Sequence, residues 1–296
     1  MDFAIGLPAF NEEKNIASII IKLKQLTNTI IVCDDGSTDL TAKIASELGA
    51  IIITHQKNMG YGSAIASIFS KAKEIGVEAL VTFDADGQHR IEDIKTVLEP
   101  IIKNNADIVI GSRFIQEEST IPKYRKIGIQ AITRITNATA GTKVTDAQSG
   151  FRAYNKNVFE SIIPSDFGMG VSTEILIKAR KNEFRIVEVP ITILYGGETS
   201  THNPVSHGAS VVFSTIKYVA LDRPLSFYGI PGIIFLGIGL FFVAWTLKLF
   251  GESGDIVTNV SLIGIGSTIL GILLVMTATI LHSMTILIRE QKKSDH

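Results

Sequence analysis

The C-terminal part of the chain carries almost no charge, and this feature constrains the fold more than any other. Residues 226–288 contain three charged side chains, Lys248, Glu252 and Asp255, although 19% of the whole chain is charged. Residues 226–247 form an uncharged run. As a helix this run would be about 33 Å long, which is enough to cross the hydrocarbon core of a bilayer.

A second run, residues 256–288, contains no Asp, Glu, Lys or Arg. Arg223 precedes the first run, Arg289 follows the second, and the connector between the runs is short and slightly acidic. The positive-inside rule then predicts a transmembrane helical hairpin with both ends in the cytoplasm. The alternative is a pair of buried core helices, although runs this long and apolar are rare in soluble cores.

The N-terminus lacks a basic region followed by an apolar stretch, so we expect no signal peptide. We therefore predict three parts in a multi-pass protein of the cell membrane. Residues 1–225 form a cytoplasmic domain, residues 226–288 contain two spans, and residues 289–296 form a short cytoplasmic tail.

The overall composition excludes several classes of protein. Lys and Arg together number 28 and Asp and Glu 29, giving a formal net charge of −1. This leaves no basic excess for nucleic acid phosphates, so we expect no nucleic-acid partner. The single cysteine, Cys33, excludes a disulfide framework and a multi-cysteine zinc site. A chain that is 46% hydrophobic with so little net charge is not intrinsically disordered.

Short apolar runs alternate with amphipathic runs through the first 110 residues. This alternation is typical of parallel βαβ units with helices on both faces of the sheet. In such sheets, ligands bind beyond the carboxyl ends of the strands. The predicted strands are 3–7, 30–33, 50–54, 79–83 and 107–110, and the predicted helices are 12–25, a segment ending at 48, 62–75 and 91–103.

Polar clusters follow four of the predicted strands, at residues 8–13, 34–39, 84–89 and 111–114. Asp, Asn and Gly are ordinary turn formers, which explains any one of these clusters. Turn formation explains the set of four less well. We therefore expect the four clusters to meet at one edge of the sheet.

Asp84 and Asp86 are two positions apart, so in an extended segment their carboxylates point to the same side. Hard cations such as Mg²⁺ or Mn²⁺ take one or two carboxylates together with substrate phosphates. Gln88 can add a carbonyl oxygen. A phosphatase with an aspartyl nucleophile would carry Thr or Val at this position, so Gln88 argues against that class.

Asp34 and Asp35 can accept hydrogen bonds from a nucleobase or ribose, or they can serve the start of the following helix. Residues 58–63 open a helix whose backbone N–H groups can face an anion. This segment is neither a G-x-G-x-x-G dinucleotide signature nor a P-loop.

Six segments together resemble the family 2 glycosyltransferases of the GT-A fold. The last two resemble especially the branch of dolichyl-phosphate mannosyltransferases and polyprenyl-phosphate glycosyltransferases. The resemblance covers about residues 1–220 and implies a Rossmann-like, mainly parallel α/β catalytic domain. The segments, in the order in which the family has them, are PAFNEE at 8–13, DDGSTD at 34–39, NMGYG at 58–62, DADGQH at 84–89, GSRF at 111–114 and QSGFR at 148–152.

The resemblance also implies roles for individual residues. Residues implied to bind the donor nucleotide sugar are Pro8, Asn11, Glu12, Asp35, Asn58, Gly60 and Asp84. Residues implied to hold Mg²⁺ or Mn²⁺ are Asp84, Asp86 and Gln88. Residues implied on the side of the acceptor phosphate are Arg113, Arg125, Gln148 and Arg152. The catalytic set implied is Asp86, Arg113, Arg125 and Arg152, acting in one inverting displacement at the anomeric carbon.

We therefore predict metal-dependent transfer of a sugar, with GDP-mannose as the favoured donor, to a polyprenyl or dolichyl phosphate at the cytoplasmic membrane face. A phosphate monoester has a second pKa of about 6, so it is already a nucleophile at neutral pH. UDP-glucose or another UDP-sugar is the alternative donor. A non-catalytic nucleotide-sugar-binding membrane protein is the alternative of another class. The sequence leaves the oligomeric state open.

Two further classes fit less well. A processive polysaccharide synthase usually carries Q-x-x-R-W, whereas the only tryptophan here, Trp245, lies in the first apolar run. A sugar-phosphate nucleotidyltransferase usually has a Gly-rich loop near its first strand, which residues 8–11 lack.

The second half of the chain offers weaker indications. Asp146 either orients an arginine or caps a turn, and Glu174 is expected to be structural. His89 is expected at most to support the metal site. Residues 121–140 form either a membrane-surface segment or an ordinary helix, and 195–208 resemble a loop that folds over the donor in this family.

Overall fold

The computed structural model describes residues 1–115, 123–193, 220 and 224–294, without the side chains of 123–125 and 288–294. Contacts within the chain divide it into two compact units, Met1–Thr215 and Ile216–His296. The predicted donor-covering loop at 195–208 lies outside the described residues.

A seven-stranded sheet forms the centre of the first unit, with the strand order β3-β2-β1-β4-β6-β5-β7. The strands are β1 (Phe3–Ala9), β2 (Ile30–Asp34), β3 (Ile51–Thr54), β4 (Ala79–Thr82), β5 (Ile108–Ser112), β6 (Arg152–Asn155) and β7 (Ile186–Pro190). The helices are α1 (Ile16–Leu23), α2 (Thr41–Glu47), α3 (Tyr61–Ile75), α4 (Asp93–Ile102), α5 (Lys123–Ala140), α6 (Lys156–Ser161) and α7 (Val171–Lys181).

Apolar patterning explains these elements. Every residue of β2 is buried, as expected for a strand covered on both faces. The buried residues of α1 are Ile16, Ile19, Ile20 and Leu23, which form one stripe at helical spacing. Separate hydrophobic clusters form the core on the two faces of the sheet. The five predicted strands and the α/β class are confirmed.

Strand β6 was not predicted from the sequence. It runs antiparallel between β4 and β5, and Thr82 of β4 pairs with Arg152 of β6. Strands β5 and β7 are parallel, as are β1, β2, β3 and β4. The antiparallel insertion brings residues 148–152 beside the carboxyl end of β4.

The order in which successive strands are added to the sheet reverses between β1 and β4. Strands β2 and β3 follow on one side of β1, and β4 pairs with its other side. Ligands in open α/β sheets bind at such a reversal, beyond the carboxyl ends of the strands. Here these ends lead into residues 10–13 and 83–89.

The second unit contains a π-helical turn (Leu225–Gly229) and two long helices, α8 (Ile230–Ser253) and α9 (Thr258–Ser294). Leu225–Ser253 and Thr258–Leu287 each contain an 18-residue window with a mean hydropathy of 2.2, of which 6% and 11% is buried. Both helices are therefore long and apolar enough to cross a membrane. Such low burial distinguishes them from the core helices of a soluble protein, which are mostly buried.

Glycines allow α8 and α9 to pack closely against each other. A Cβ added at Gly232 would lie 2.8 Å from the Val275 side chain, and one at Gly271 would lie 2.7 Å from the Leu236 backbone nitrogen. Small residues at such contacts are typical of packed membrane helices. This packing supports the predicted hairpin.

Candidate active site

The loops after β1 and β2 interlock at the edge of the sheet. The Asn11 N–H donates to Ser37 Oγ at 2.9 Å, and the Asn11 side-chain carbonyl accepts from the Thr38 N–H at 2.9 Å. Asn11 has a φ of 56°, a left-handed conformation that asparagine adopts more readily than most residues. Both Asn11 groups therefore hold the two loops together. Pro8 lies in β1, paired with Cys33 of β2.

Asp35 ties the end of β2 to the loop before α3. Its Oδ1 accepts from the Met59 N–H at 2.9 Å, and its Oδ2 accepts from the Gly60 N–H at 2.8 Å. The Nδ1 atom of His55 lies 2.6 Å from Asp35 Oδ1. Asp35, which is 4% exposed, thus organises the loop before α3, whereas Asn58 in that loop is exposed.

Gly60 is required by a close approach of two backbone segments. Its φ is 96°, and a Cβ at this position would overlap the carbonyl oxygen of Phe167. The Gly62 N–H donates to the same oxygen at 3.0 Å. The start of α3 is thereby fixed against the loop that precedes α7.

Asp84 and Asp86 follow β4, as the sequence predicts. Asp84 Oδ2 lies 3.2 Å from His89 Nε2, and Asp84 Oδ1 accepts from the Tyr61 hydroxyl at 3.4 Å. Asp86 Oδ1 accepts from the Gln88 N–H at 2.9 Å. The Gln88 side chain is half-buried.

Glu12, Asp84 and Asp86 share one acidic environment. Burial and the neighbouring carboxylate of Asp84 raise the pKa of Asp86. Burial, followed by the charges of Asp86, Asp39 and Asp84, raises the pKa of Glu12. Burial also opposes ionisation of Asp84, but the hydrogen bond and charge of His89 and the charge of Arg113 lower the pKa of this carboxyl. A bound cation would relieve the repulsion among these acids.

The residues fit a divalent cation that is shared with a substrate. Among the residues that the structure describes, no three His, Cys, Asp or Glu side chains lie close enough to enclose a cation by themselves. Mg²⁺ typically takes one or two carboxylates and completes its shell with water and substrate phosphates. Two carboxylates and the Gln88 amide are consistent with such an incomplete protein shell.

Gly150 lies directly against Asp84 and Tyr61. A Cβ at this position would overlap the Tyr61 hydroxyl oxygen and would lie 3.0 and 3.1 Å from the two carboxylate oxygens of Asp84. The Gly150 carbonyl accepts from the Thr82 hydroxyl at 2.7 Å, which fixes the backbone there. Residue 150 therefore has room for glycine alone.

We expect Gly150→Ala to lower sugar transfer about 10- to 100-fold, because a displacement near 1 Å in a catalytic group costs roughly this much. Initial rates at saturating substrate provide the measurement. Gly128→Ala is the matched control, since a Cβ added there in α5 meets nothing within 4 Å. Equal rates for wild type and Gly150→Ala would contradict the tight packing around Asp84.

Arg113 follows β5 and forms a bidentate ion pair with Asp146. Its Nε and Nη2 donate to the Asp146 carboxylate at 2.6 and 2.7 Å. Asp146 is fully buried, and its own N–H donates to Glu188 Oε1 at 2.9 Å. Asp146 therefore orients an arginine, which was one of its two predicted roles. The Arg113 charge also acts on Asp84.

Arg152 lies elsewhere than its predicted role requires. It is 1% exposed, and its guanidinium donates to the backbone carbonyls of Ser149 at 2.8 Å, Ser172 at 3.0 Å and Ala147 at 2.7 Å. These bonds place the Arg152 side chain inside the fold and make it a brace for residues 147–149. An acceptor phosphate would need an accessible guanidinium, so the position of Arg152 does not support the predicted contact with the acceptor.

Two other residues, Gln148 and Arg125, were predicted on the acceptor side, and only the Gln148 side chain is described. The Gln148 side-chain amide donates to Thr173 Oγ1 at 3.3 Å and is half-buried. Arg125 belongs to α5, but its side chain is outside the part of the chain that is described. Its predicted contact with the acceptor therefore stays a prediction.

Glu174 anchors the loop before α7. It is 1% exposed and accepts from the N–H groups of Ser165 and Asp166 at 3.0 and 2.8 Å. Although burial works in the opposite direction, hydrogen bonds from Lys178, Ser165 and Asp166 lower the pKa of Glu174. This carboxylate holds the loop that packs on Gly60 and Gly62, in line with the predicted structural role.

Glu174→Gln should destabilise the fold at pH 7 by about 1.5–3 kcal/mol, the usual contribution of hydrogen bonds to a charged group. Because the folded-state pKa of Glu174 is depressed, its stabilisation is complete above the unfolded pKa of about 4.3 and fades as the pH falls through the folded value. Unfolding free energies measured from pH 7 to pH 3 should therefore converge for wild type and variant. A constant difference over that range would contradict the assigned charge.

Sequence reasoning missed two contributions to the site. Tyr61 and Gly150 lie within recognised segments, yet only the fold shows that both touch Asp84. Neither residue has a periodicity or a charge that would have singled it out. The position of each inside a motif was the one available signal.

Comparisons with known proteins identify the family to which this chain belongs. Residues 4–163 match the family model described as glycosyl transferase family 2. UDP-N-acetylglucosamine--dolichyl-phosphate N-acetylglucosaminyltransferase of Methanococcus voltae is 37% identical over 211 residues, which cover 64% of this chain and 84% of the relative. Dolichol-phosphate mannosyltransferase of Pyrococcus furiosus is 34% identical over 210 residues, which cover 65% of this chain and 56% of the relative.

A solved structure shows the same architecture. Glucosyl-3-phosphoglycerate synthase from Mycobacterium tuberculosis, in complex with Mn²⁺, uridine diphosphate and phosphoglyceric acid, has a TM-score of 0.58 at 18% identity and covers 74% of this chain and 78% of its own. At this identity the likeness concerns the fold, which is GT-A. The chain belongs to glycosyl transferase family 2, in which its relatives include polyprenyl-phosphate glycosyltransferases, and it is a glycosyltransferase.

Proposed function

We propose that this glycosyltransferase moves a sugar from a nucleotide sugar to a polyprenyl phosphate at a membrane surface. The observation that carries the proposal is that Asp84 and Asp86 follow β4, where the sheet reverses, and that the charge of Arg113 acts on Asp84. An acidic pair suits a metal-bound diphosphate, and an oriented arginine suits a phosphate. The two apolar helices give a reason for a lipid substrate.

The proposed donor site lies along the loops after β1, β2 and β4. Glu12 and Asp84 face the donor in this proposal. Asn11, Asp35 and Gly60 contribute by shaping the loops, because hydrogen bonds or backbone contacts within the protein already engage them. Pro8 and Asn58 stay as proposed donor contacts.

Asp84, Asp86 and Gln88 would hold Mg²⁺ or Mn²⁺, which would neutralise charge on the departing nucleoside diphosphate. Arg113, held in one plane by Asp146, is proposed to bind the acceptor phosphate through its guanidinium. A dianionic phosphate oxygen attacks the anomeric carbon directly as the glycosyl–diphosphate bond breaks. The configuration inverts, and no side chain is needed to remove a proton.

The identity of the sugar is a finer proposal. The named relatives divide between N-acetylglucosamine and mannose, so they do not favour GDP-mannose over UDP-N-acetylglucosamine. We propose UDP-N-acetylglucosamine as the first donor to test, because the relative named for it is 37% identical to this chain. GDP-mannose is the second and UDP-glucose the third.

We propose that residues 1–225 and the tail at 289–296 are cytoplasmic and that the helices between them anchor the enzyme in the cell membrane. The basic residues Arg223 and Arg289 flank the apolar runs and support this orientation. Cysteine labelling from each side of sealed vesicles tests it. A reactive cysteine introduced at Ser253 should be labelled from the outside alone, and labelling from the cytoplasmic side would contradict the orientation.

The activity test uses the purified full-length chain in detergent with Mn²⁺ or Mg²⁺, a polyprenyl phosphate and a panel of radiolabelled nucleotide sugars. One donor should transfer its label to the organic phase, and omission of the lipid should abolish this transfer. Nucleotide-sugar binding without transfer for the whole panel would support the non-catalytic alternative. Transfer to water or to a soluble phosphate alone would contradict the lipid acceptor.

A further inference from the structure

Two side chains from different segments hold the two oxygens of Asp84. The Tyr61 hydroxyl, at the start of α3, donates to Oδ1 at 3.4 Å. His89 Nε2, five residues after Asp84 itself, lies 3.2 Å from Oδ2. An ionised carboxylate can only accept, so both partners act as donors. Together they restrict rotation of the carboxylate about its own axis.

The His89 ring is held in place by aromatic neighbours. Its centroid lies 5.6 Å from that of Phe83 and 5.1 Å from that of Phe151, and His89 as a whole is 9% exposed. Its Nδ1 is buried and has no hydrogen-bond partner within the described part of the chain. A buried polar atom left unpaired is costly. Folding alone would favour an apolar side chain here, so an imidazole at this position indicates a role for Nε2.

Gly150 is the third residue that packs against the Asp84 carboxylate. The space where its Cβ would lie is taken by the Tyr61 hydroxyl and the Asp84 carboxylate. The Asp84 carboxylate therefore cannot move toward Gly150. Tyr61 and His89 thus bond to the two carboxylate oxygens, while Gly150 fills the space beside them.

We propose that Tyr61 and His89 are positioning residues that hold the Asp84 carboxylate in the orientation in which it and Asp86 receive a divalent cation. This inference rests on the metal site of the proposed function. Without these donors, repulsion from Asp86 would turn the Asp84 carboxylate away from the shared position. Removal of a partner that orients a metal ligand typically weakens metal affinity about 10- to 100-fold.

Direct Mn²⁺ binding tests the proposal independently of turnover. Mn²⁺ alone is titrated into the full-length chain in detergent, and free Mn²⁺ is followed by electron paramagnetic resonance. His89→Leu should raise the Mn²⁺ Kd at least about 10-fold, and Tyr61→Phe about 3- to 10-fold. His89→Gln keeps a side-chain N–H donor and should restore most of the affinity, which a merely structural role for His89 would not predict.

Tyr154→Phe is the matched control. Tyr154 is a buried tyrosine on β6 that packs on Phe69 with a centroid distance of 4.9 Å, and its hydroxyl bonds to Thr82 and Arg152 instead of Asp84. It should leave the Mn²⁺ Kd within about 2-fold of wild type. Thermal unfolding of each variant separates loss of fold from loss of affinity.

The outcomes distinguish the inference from the proposed function. Unchanged Mn²⁺ affinity in folded Tyr61→Phe and His89→Leu would overturn the positioning role even if the wild type transfers sugar. The wild type could also bind Mn²⁺ and transfer no sugar, which would contradict the proposed function. Weakened Mn²⁺ affinity in both variants would then still support the positioning role. Absence of Mn²⁺ binding by the wild type would overturn the inference.

Discussion

Asp86→Asn should lower sugar transfer by about 10²- to 10³-fold, the range found when one group that stabilises transition-state charge is removed. Asparagine keeps an oxygen that can accept from the Gln88 N–H, so the local turn should survive. The variant loses one of the two negative charges that Asp84 and Asp86 supply. Initial rates at saturating Mn²⁺ and donor measure the effect, and thermal unfolding should show a native-like fold.

Asp39→Asn provides the control for this charge loss. Asp39 belongs to the same edge of the sheet but accepts hydrogen bonds from Thr41 and Glu13, at the start of α2. Its substitution should change the rate only a few-fold and should mainly affect stability. If Asp86→Asn retained the wild-type rate, or if Asp39→Asn lost as much activity, the assignment of the metal site to Asp84 and Asp86 would be wrong.

Arg152→Leu should destabilise the first unit by about 3–5 kcal/mol, because three buried carbonyls lose their donor at once. The affected carbonyls belong to Ala147, Ser149 and Ser172. Chemical unfolding of the full-length chain in detergent, followed by a probe in this unit, measures the loss. Arg152→Lys should be intermediate, since one ammonium cannot replace the planar guanidinium fork.

Arg134→Leu is the matched control, because Arg134 is exposed on α5. Its effect on stability should stay within about 0.5 kcal/mol, as is usual for surface positions. The opposite pattern would restore the acceptor-side role of Arg152. In that pattern Arg152→Leu would be as stable as wild type but would show a higher KM for the polyprenyl phosphate.

Local patterns in the sequence were sufficient for strands β1 to β5. Each of them is a short apolar run bounded by turn residues, and each contributes apolar side chains to both cores, with β3 only partly buried. The polar segments after these strands were also placed correctly at one edge of the sheet, since parallel strands present their carboxyl ends together. The location of Asp84 and Asp86 at this edge was predictable for this reason.

Strand β6 could not be predicted in the same way. Arg152–Asn155 has the sequence RAYN, which has no apolar run, and its pairing with β4 joins residues about 70 positions apart. The burial of Arg152 follows from this long-range insertion. From its motif alone the arginine resembles a phosphate ligand, and only the antiparallel pairing shows that backbone carbonyls surround it.

The hydrogen-bond partners of Arg113 and Asp84 are also distant from them in the sequence. Asp146 is 33 residues from Arg113, and only the fold shows that the two side chains form a bidentate contact. Tyr61 is 23 residues from Asp84. Such contacts depend on how strands and loops meet, which no local pattern of residue types encodes.

The central claim is that a lipid phosphate attacks the anomeric carbon of a nucleotide sugar. Mass spectrometry of the lipid made by the purified full-length chain from a polyprenyl phosphate and its preferred donor tests it most directly. We predict a polyprenyl phosphate that carries one sugar and retains a single phosphorus atom. A lipid with two phosphorus atoms, which would mean transfer of a sugar phosphate, or an unmodified lipid with each donor tested, would contradict the claim.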